Sequence, residues 1–246
     1  MTHIFEELDF QETPLGEISL RKRSEPRLDN KIIYEVKMNE EFLMSSLFVE
    51  AELQLAHLGL TALEKGVLTG KSLDVIVGGL GLGYTAYAAL QNSNVKSLNV
   101  IDVMQPVIDW HEKGLVPMAN ELTSDDRCKL VLGDFFALAT ADTNGFGIVN
   151  DDKKVHAVLL DIDHTPSFWL SPGNSDFYTE QGLRSLANKI HADGIFGLWS
   201  DEQSPNKDFI QLLDSIFTST ETHIVTFPNP YTREESSNTV YLARVA

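Results

Sequence analysis

Four short clusters carry the residue types that chemistry on a nucleotide needs. Val77-Gly78-Gly79-Leu80-Gly81-Leu82-Gly83 sets glycines at alternate positions directly after an apolar run. Glycines there let the backbone approach a bound nucleotide, and a following helix offers free N–H groups. Gly79, Gly81 and Gly83 give GxGxG, with Tyr84 next, rather than the GxGxxG of dinucleotide folds. Asp102, with Val103 beside it, closes the second apolar run. A carboxylate at that strand end can accept hydrogen bonds from both ribose hydroxyls. Gly133-Asp134-Phe135-Phe136 follows the third run, where the acid can take an adenine amine and Phe135 can pack on the ring. Each feature alone is weak. At successive strand ends they point together to nucleotide binding by Gly78, Gly79, Gly81, Gly83, Asp102, Val103, Asp134 and Phe135.

The fourth cluster is Leu160-Asp161-Ile162-Asp163-His164-Thr165-Pro166. Strand ends at a switch point are where doubly wound sheets place reacting groups. Asp161 is the foremost candidate to hold, orient or deprotonate an amine, or to pair with a cationic substrate. Asp163 and His164 sit beside it as further catalytic candidates. Two carboxylates and an imidazole this close raise a divalent metal. The remaining ligands are not visible in the pattern, and no metal is expected.

The elements that must position these clusters form a strand–helix alternation from Lys71 onward. Leu73–Val77, Leu98–Val103, Lys129–Leu132, Val155–Leu160, Ile195–Trp199, His223–Phe227 and Thr239–Arg244 read as strands. Tyr84–Leu90, Val107–Leu122, Phe177–Ile190 and Asp208–Phe217 read as helices, the third stopped by Ala192-Asp193-Gly194. Residues 140–152 read as a loop rich in Gly, Asn and Asp. Seven strands with interleaved helices predict an α/β, Rossmann-like, doubly wound sheet. Before it, Glu17–Arg21 and Lys31–Lys37 suggest a small β-hairpin unit. A helix over 46–63 follows, with Leu47, Leu53, Leu55, Leu58 and Leu63 as its apolar face among Glu50, Glu52 and His57. The expected division is 1–45 for the β-unit and 46–246 for the nucleotide-binding domain.

Composition narrows the setting. Hydrophobic residues make up 43%, enough for a full core, and no stretch approaches the roughly 20 apolar residues of a membrane helix. The start, Met1-Thr2-His3-Ile4-Phe5, lacks the pattern of a signal peptide, and Cys128 is the single cysteine; both suit a cytoplasmic protein. A net charge of −17 repels phosphate backbones and anionic lipid, so neither nucleic acid nor membrane is expected as a partner. Cations such as amines are attracted.

Gly78–Gly83, Asp102, Gly133-Asp134 and Asp161–Pro166 together resemble the spermidine synthase-like branch of the class I S-adenosylmethionine-dependent methyltransferase superfamily. The resemblance covers nearly the whole chain and includes the small N-terminal β-unit. It implies a seven-stranded sheet with its last strand antiparallel, S-adenosylmethionine or its decarboxylated form as cofactor, and a homodimer. Gly79, Gly81, Gly83, Asp102 and Asp134 would bind the cofactor, with Asp161 at the reaction centre. Departures accompany the match. The family's GGGDGG loop has Gly81 in its aspartate position, and its DSSDP-type segment keeps only the first acid, as Asp161. The tyrosine–glutamine pair before the first domain helix gives way to Glu50-Ala51. That loop acid holds the aminopropyl amine of the decarboxylated donor and disfavours the carboxylate of the intact one. Its loss favours methyl transfer from intact S-adenosylmethionine to an amine or other small nucleophile. The alternatives are a true polyamine aminopropyltransferase, a non-catalytic nucleotide-binding protein and, last, an NAD-dependent oxidoreductase.

Overall fold

The computed structural model describes residues 3–39, 41–65, 68–148 and 153–246. Met1 and Thr2 of the expected β-unit, and positions 149–152 of the expected loop, lie outside them. Among the described residues no helix is long and apolar enough to cross a membrane.

Strand alternation builds the N-terminal unit, which has four antiparallel strands rather than two: β1 (Phe5–Thr13), β2 (Gly16–Glu25), β3 (Lys31–Met38) and β4 (Glu41–Ser45). Ile18 and Leu20 of β2 and Val36 of β3 are buried on the face turned to the main domain. Arg21 and Arg23 point the other way and clasp the buried Glu35 carboxylate at 2.7 and 2.9 Å. The unit is tied down by Asp9, which accepts a 2.6 Å hydrogen bond from the Trp110 indole.

The main sheet has the order β10-β11-β9-β8-β5-β6-β7. Its members are β5 (Leu73–Gly78), β6 (Val95–Asp102), β7 (Cys128–Leu132), β8 (Val155–Leu160), β9 (Ile190–Ser200), β10 (Ser219–Asn229) and β11 (Glu234–Arg244). Only β11 runs against its neighbours. The chain winds from β5 outward through β6 and β7, then returns to start the other half at β8 beside β5. That reversal is the switch point where such sheets bind ligands.

Helices α1 (Glu50–Glu64), α2 (Tyr84–Leu90), α3 (Gln105–Glu112), α4 (Ala119–Thr123), α5 (Phe135–Thr140), α6 (Glu180–Asn188) and α7 (Lys207–Asp214) cover the sheet. α1 lies close on β8 and β9: a Cβ on its Gly59 would fall 2.8 Å from Leu159, and one on Gly197 would fall 3.0 Å from Leu55. The expected 107–122 helix is two helices, because Gly114 turns the chain at φ 71°. The expected 177–190 helix stops at Asn188, and Ala192-Asp193-Gly194 belongs to β9, where Asp193 makes a kink at φ 62°. α5 was not expected; Asp134 starts it by capping the N–H groups of Phe136 and Ala137. The β10–β11 hairpin is longer than the sequence suggests and reaches the N-terminal sheet. There the Tyr231 hydroxyl donates to Glu25 at 3.1 Å, and Phe227 packs on Phe48 with centroids 5.8 Å apart.

Candidate active site

A cleft of about 860 Å³ opens at the C-terminal ends of β5, β6, β7, β8 and β9. The N-terminal sheet walls one side with Met38, Phe42 and Met44, and the long hairpin closes another with Phe227 and Ser236.

The glycine loop follows β5. Gly79, Gly81 and Gly83 all have positive φ, 94°, 50° and 91°, a conformation L side chains rarely adopt. At Gly79 there is no room either, since a Cβ would fall against the Asp161 carbonyl. Neutral His111, whose pKa burial lowers to about 4, pins the loop by placing Nε2 3.0 Å from the Gly81 carbonyl oxygen. Asp102 pins it from the other side, accepting from the N–H of Leu80 at 2.9 Å, of Met104 at 2.8 Å, and of Gly81. A carboxylate has about four acceptor sites, so Asp102 keeps capacity for one further donor rather than a free pair. Burial raises its pKa, and the three N–H bonds oppose that rise.

The other nucleotide candidates also border the cleft, with one exception. Gly78 is the last residue of β5 and sits behind the loop; its carbonyl accepts the Asp161 N–H at 2.8 Å. Val103 is half exposed at the lip. Asp134 borders the cleft while its Oδ1 serves as the α5 cap. Phe135 is 2% exposed and packs among Phe136, Phe146 and Phe177, so it offers a ring little surface. The glycine backbone thus lines one side of the cleft, with Asp102 and Asp134 at adjacent strand ends.

After β8 the three catalytic candidates separate. Asp161 borders the cleft, and its Oδ2 accepts a 2.7 Å hydrogen bond from the Thr85 hydroxyl. Asp163 does not border it. Asp163 is 1% exposed, and its carboxylate accepts from the Leu170 N–H at 2.7 Å, Asn174 at 2.8 Å and the Tyr178 hydroxyl at 3.0 Å. It organises the 163–178 segment. His164 borders the cleft and stacks on the exposed Phe168 with centroids 5.1 Å apart. Among the described residues no group of three or more His, Cys, Asp or Glu side chains is placed to hold a metal.

Sequence reasoning missed the acid that completes this end of the cleft. Glu52, in the first turn of α1, borders the cleft beside Asp161, Tyr84 and Asp201. Withdrawal from water and the charge of Asp161 raise its pKa, and withdrawal from water raises that of Asp161. The signal was in the helical period: Glu52 shares a stripe with Leu55, Ala56, Gly59 and Leu63, all buried. Asp201, after β9, was also missed; its Oδ1 accepts from Asn238 at 2.9 Å. The cleft is therefore lined by five carboxylates, Glu52, Asp102, Asp134, Asp161 and Asp201, and by no Lys or Arg among the described residues.

Residues 50–233 match the Spermine/spermidine synthase domain family. The chain belongs to that family. A polyamine aminopropyltransferase of Pyrobaculum islandicum is 26% identical over 122 residues, an alignment spanning 50% of this chain and 39% of the relative. A solved spermidine synthase in complex with the transition-state analogue AdoDATO superimposes with TM-score 0.72 at 14% identity, covering 98% of this chain and 74% of its own. Spermidine synthase from Thermotoga maritima superimposes with TM-score 0.70, also at 14% identity, covering 98% and 73%. At such identities the superpositions establish the shared fold.

Proposed function

We propose that this chain transfers the aminopropyl group of decarboxylated S-adenosylmethionine to an amine. The charge of the cleft carries the reading: five carboxylates and no Lys or Arg among its described lining residues. A sulfonium donor and an amine acceptor are both cationic, and each gains from carboxylates in a site partly withdrawn from water. The intact donor brings its own carboxylate into that field, with no Lys or Arg among the described lining residues to pair it. The family match and the polyamine aminopropyltransferase relative support the same reading, as does the spermidine synthase solved with AdoDATO. The methyl-transfer preference suggested by Gly81 therefore gives way, because Glu52 and Asp161 place beside the loop an acid pair that an incoming cation ionises fully, which Gly81 does not.

In this reading the glycine backbone, Asp102 and Asp134 hold the nucleoside, and the donor supplies an electrophilic carbon next to its sulfonium. Asp161 orients the acceptor amine. As the N–C bond forms and the C–S bond breaks, the electron pair leaves on sulfur as 5′-methylthioadenosine. Before that attack Asp161 accepts a proton from the acceptor's ammonium, which frees the nitrogen lone pair, and passes the proton to water. A raised carboxyl pKa suits that transfer near neutral pH.

Calorimetry of the purified protein against decarboxylated and intact S-adenosylmethionine tests the choice of donor. Turnover is then assayed with a panel of amines. Tighter binding of the decarboxylated form, with amine-dependent release of 5′-methylthioadenosine, is expected. Equal or tighter binding of the intact form sinks the reading and returns the Gly81-based alternative, methyl transfer.

A further inference from the structure

Of the five acids in the cleft, four already have work in the fold. Asp102 takes three backbone N–H groups, Asp134 caps α5, Asp161 receives Thr85 and Asp201 receives Asn238. The Glu52 carboxyl has no side-chain hydrogen bond or ion pair among the described residues, although it sits inside the cleft. Its one hydrogen bond among them is from its own backbone N–H, and an acid drawn out of water with so little support is costly to keep and gains most from a cationic ligand.

Its position says which cation. The Glu52 backbone carbonyl lies 3.3 Å from the Thr85 hydroxyl, the same group that donates to Asp161. Thr85 is in the first turn of α2, directly after the glycine loop. The start of α1 at Glu52 thus meets the start of α2 at Thr85, and the Glu52 carboxyl lies in the same cleft within reach of the Asp161 charge. The loop contributes no charge there: a Cβ on Gly81 would fall 2.9 Å from the Met44 sulfur, so a thioether fills the space above it.

We propose that Glu52 is the specificity-determining residue for the donor, holding the primary ammonium of its aminopropyl arm and turning away a donor that carries a carboxylate there. This rests on the aminopropyl-transfer reading above. A charge-assisted hydrogen bond to an ammonium enters binding of the donor, and the same negative charge repels the carboxylate of the intact molecule. 5′-Methylthioadenosine has the nucleoside and no ammonium, so Glu52 contributes nothing to its binding.

The test is calorimetry of wild type and Glu52→Gln against three ligands: decarboxylated S-adenosylmethionine, the intact molecule and 5′-methylthioadenosine. Glu52→Gln is expected to weaken the decarboxylated donor by about 10-fold or more, the loss of one charge-assisted bond. 5′-Methylthioadenosine should stay within about 2-fold, and the preference between the two donors should shrink by a similar 10-fold. Glu52→Asp should recover part of that preference. If the variant keeps the wild-type preference, the Glu52 assignment is overturned while the aminopropyl reading stands. If it weakens all three ligands alike, Glu52 only supports the loop and the assignment is again overturned. If wild type itself shows no preference for the decarboxylated donor, the functional reading falls and takes the assignment with it.

Discussion

Thr85 and Asp161 are joined by a 2.7 Å hydrogen bond from Oγ1 to Oδ2, across the switch point between the helix after the glycine loop and the end of β8. The bond stabilises the ionised form of Asp161 against the withdrawal from water that raises its pKa. Removing the donor should raise that pKa further. Thr85→Val is nearly isosteric and should shift the acidic limb of the pH–rate profile upward, because a base must be deprotonated to act. Turnover at neutral pH should fall about 10-fold while 5′-methylthioadenosine binding holds. An unmoved profile would separate Thr85 from the chemistry.

The Glu52–Asp161 pair also sets how the empty protein responds to pH. Both folded pKa values are raised above the usual carboxylate range, by withdrawal from water in each and, for Glu52, by the neighbouring charge as well. The folded state then binds more protons than the unfolded chain, so this contribution is present at low pH and is lost as pH rises through the folded values. Above about pH 7, where neutral His111 no longer differs in protonation from the unfolded chain, thermal melts up to about pH 9 should show stability declining toward the alkaline end. Glu52→Gln should flatten that decline and melt higher than wild type at about pH 9. Parallel slopes in the two proteins would show that Glu52 is solvated and outside the pair.

The strand ends were legible in the sequence because β6 and β8 are short, largely buried runs, of which Asp102 closes the first and Asp161 follows the second. β7 is only partly buried, yet its Lys-Leu-Val-Leu run still leads through Gly133 to Asp134. β1 was not legible: FEELDFQET is acidic and mostly exposed, and it pairs only along one edge with β2. Glu52 was hidden by a choice of helical face. Leu53 and Leu58 drew the apolar stripe to one side, whereas the buried stripe runs through Ala51, Leu55, Ala56, Gly59 and Leu63. Asp163 was drawn in by its spacing from Asp161. Two residues apart share a face only while the chain stays a strand, and β8 ends at Leu160.

Asp102 looks from the sequence like a side chain that serves only the ligand, one whose loss leaves the empty protein's melting temperature nearly unchanged. Its bonds to the N–H groups of Leu80, Gly81 and Met104 make it a structural anchor of the glycine loop as well. Asp102→Ala should therefore lower nucleoside affinity by tens- to hundreds-fold and also destabilise the empty protein, by about 1–3 kcal/mol. A melt identical to wild type would mean that water replaces the carboxylate at the loop without cost.

The separation of Asp161 from Asp163 allows one experiment on two acids in a single loop. Asp161→Asn preserves shape and the capacity to accept from Thr85, but removes the base and the charge that meet an amine. It should leave 5′-methylthioadenosine binding within a few-fold and lower turnover by roughly 10²–10⁴, the range for losing a positioned general base. Asp163→Asn acts elsewhere. Asp163 accepts from the Leu170 N–H, Asn174 and Tyr178, and burial raises its pKa against those bonds. An amide there turns part of an acceptor into a donor facing three donors, so the 163–178 segment loosens. Proteolysis within that segment should accelerate and stability should drop by about 1–3 kcal/mol, with a smaller loss of turnover than in Asp161→Asn. The two variants should differ most in the pH–rate profile: Asp161→Asn abolishes the acidic limb, and Asp163→Asn keeps it where wild type has it. Loss of the limb in Asp163→Asn with its retention in Asp161→Asn would move the catalytic assignment two residues along the chain, against the burial of Asp163. Retention in both would place the proton acceptor elsewhere in the cleft, with Glu52 the next acid to replace.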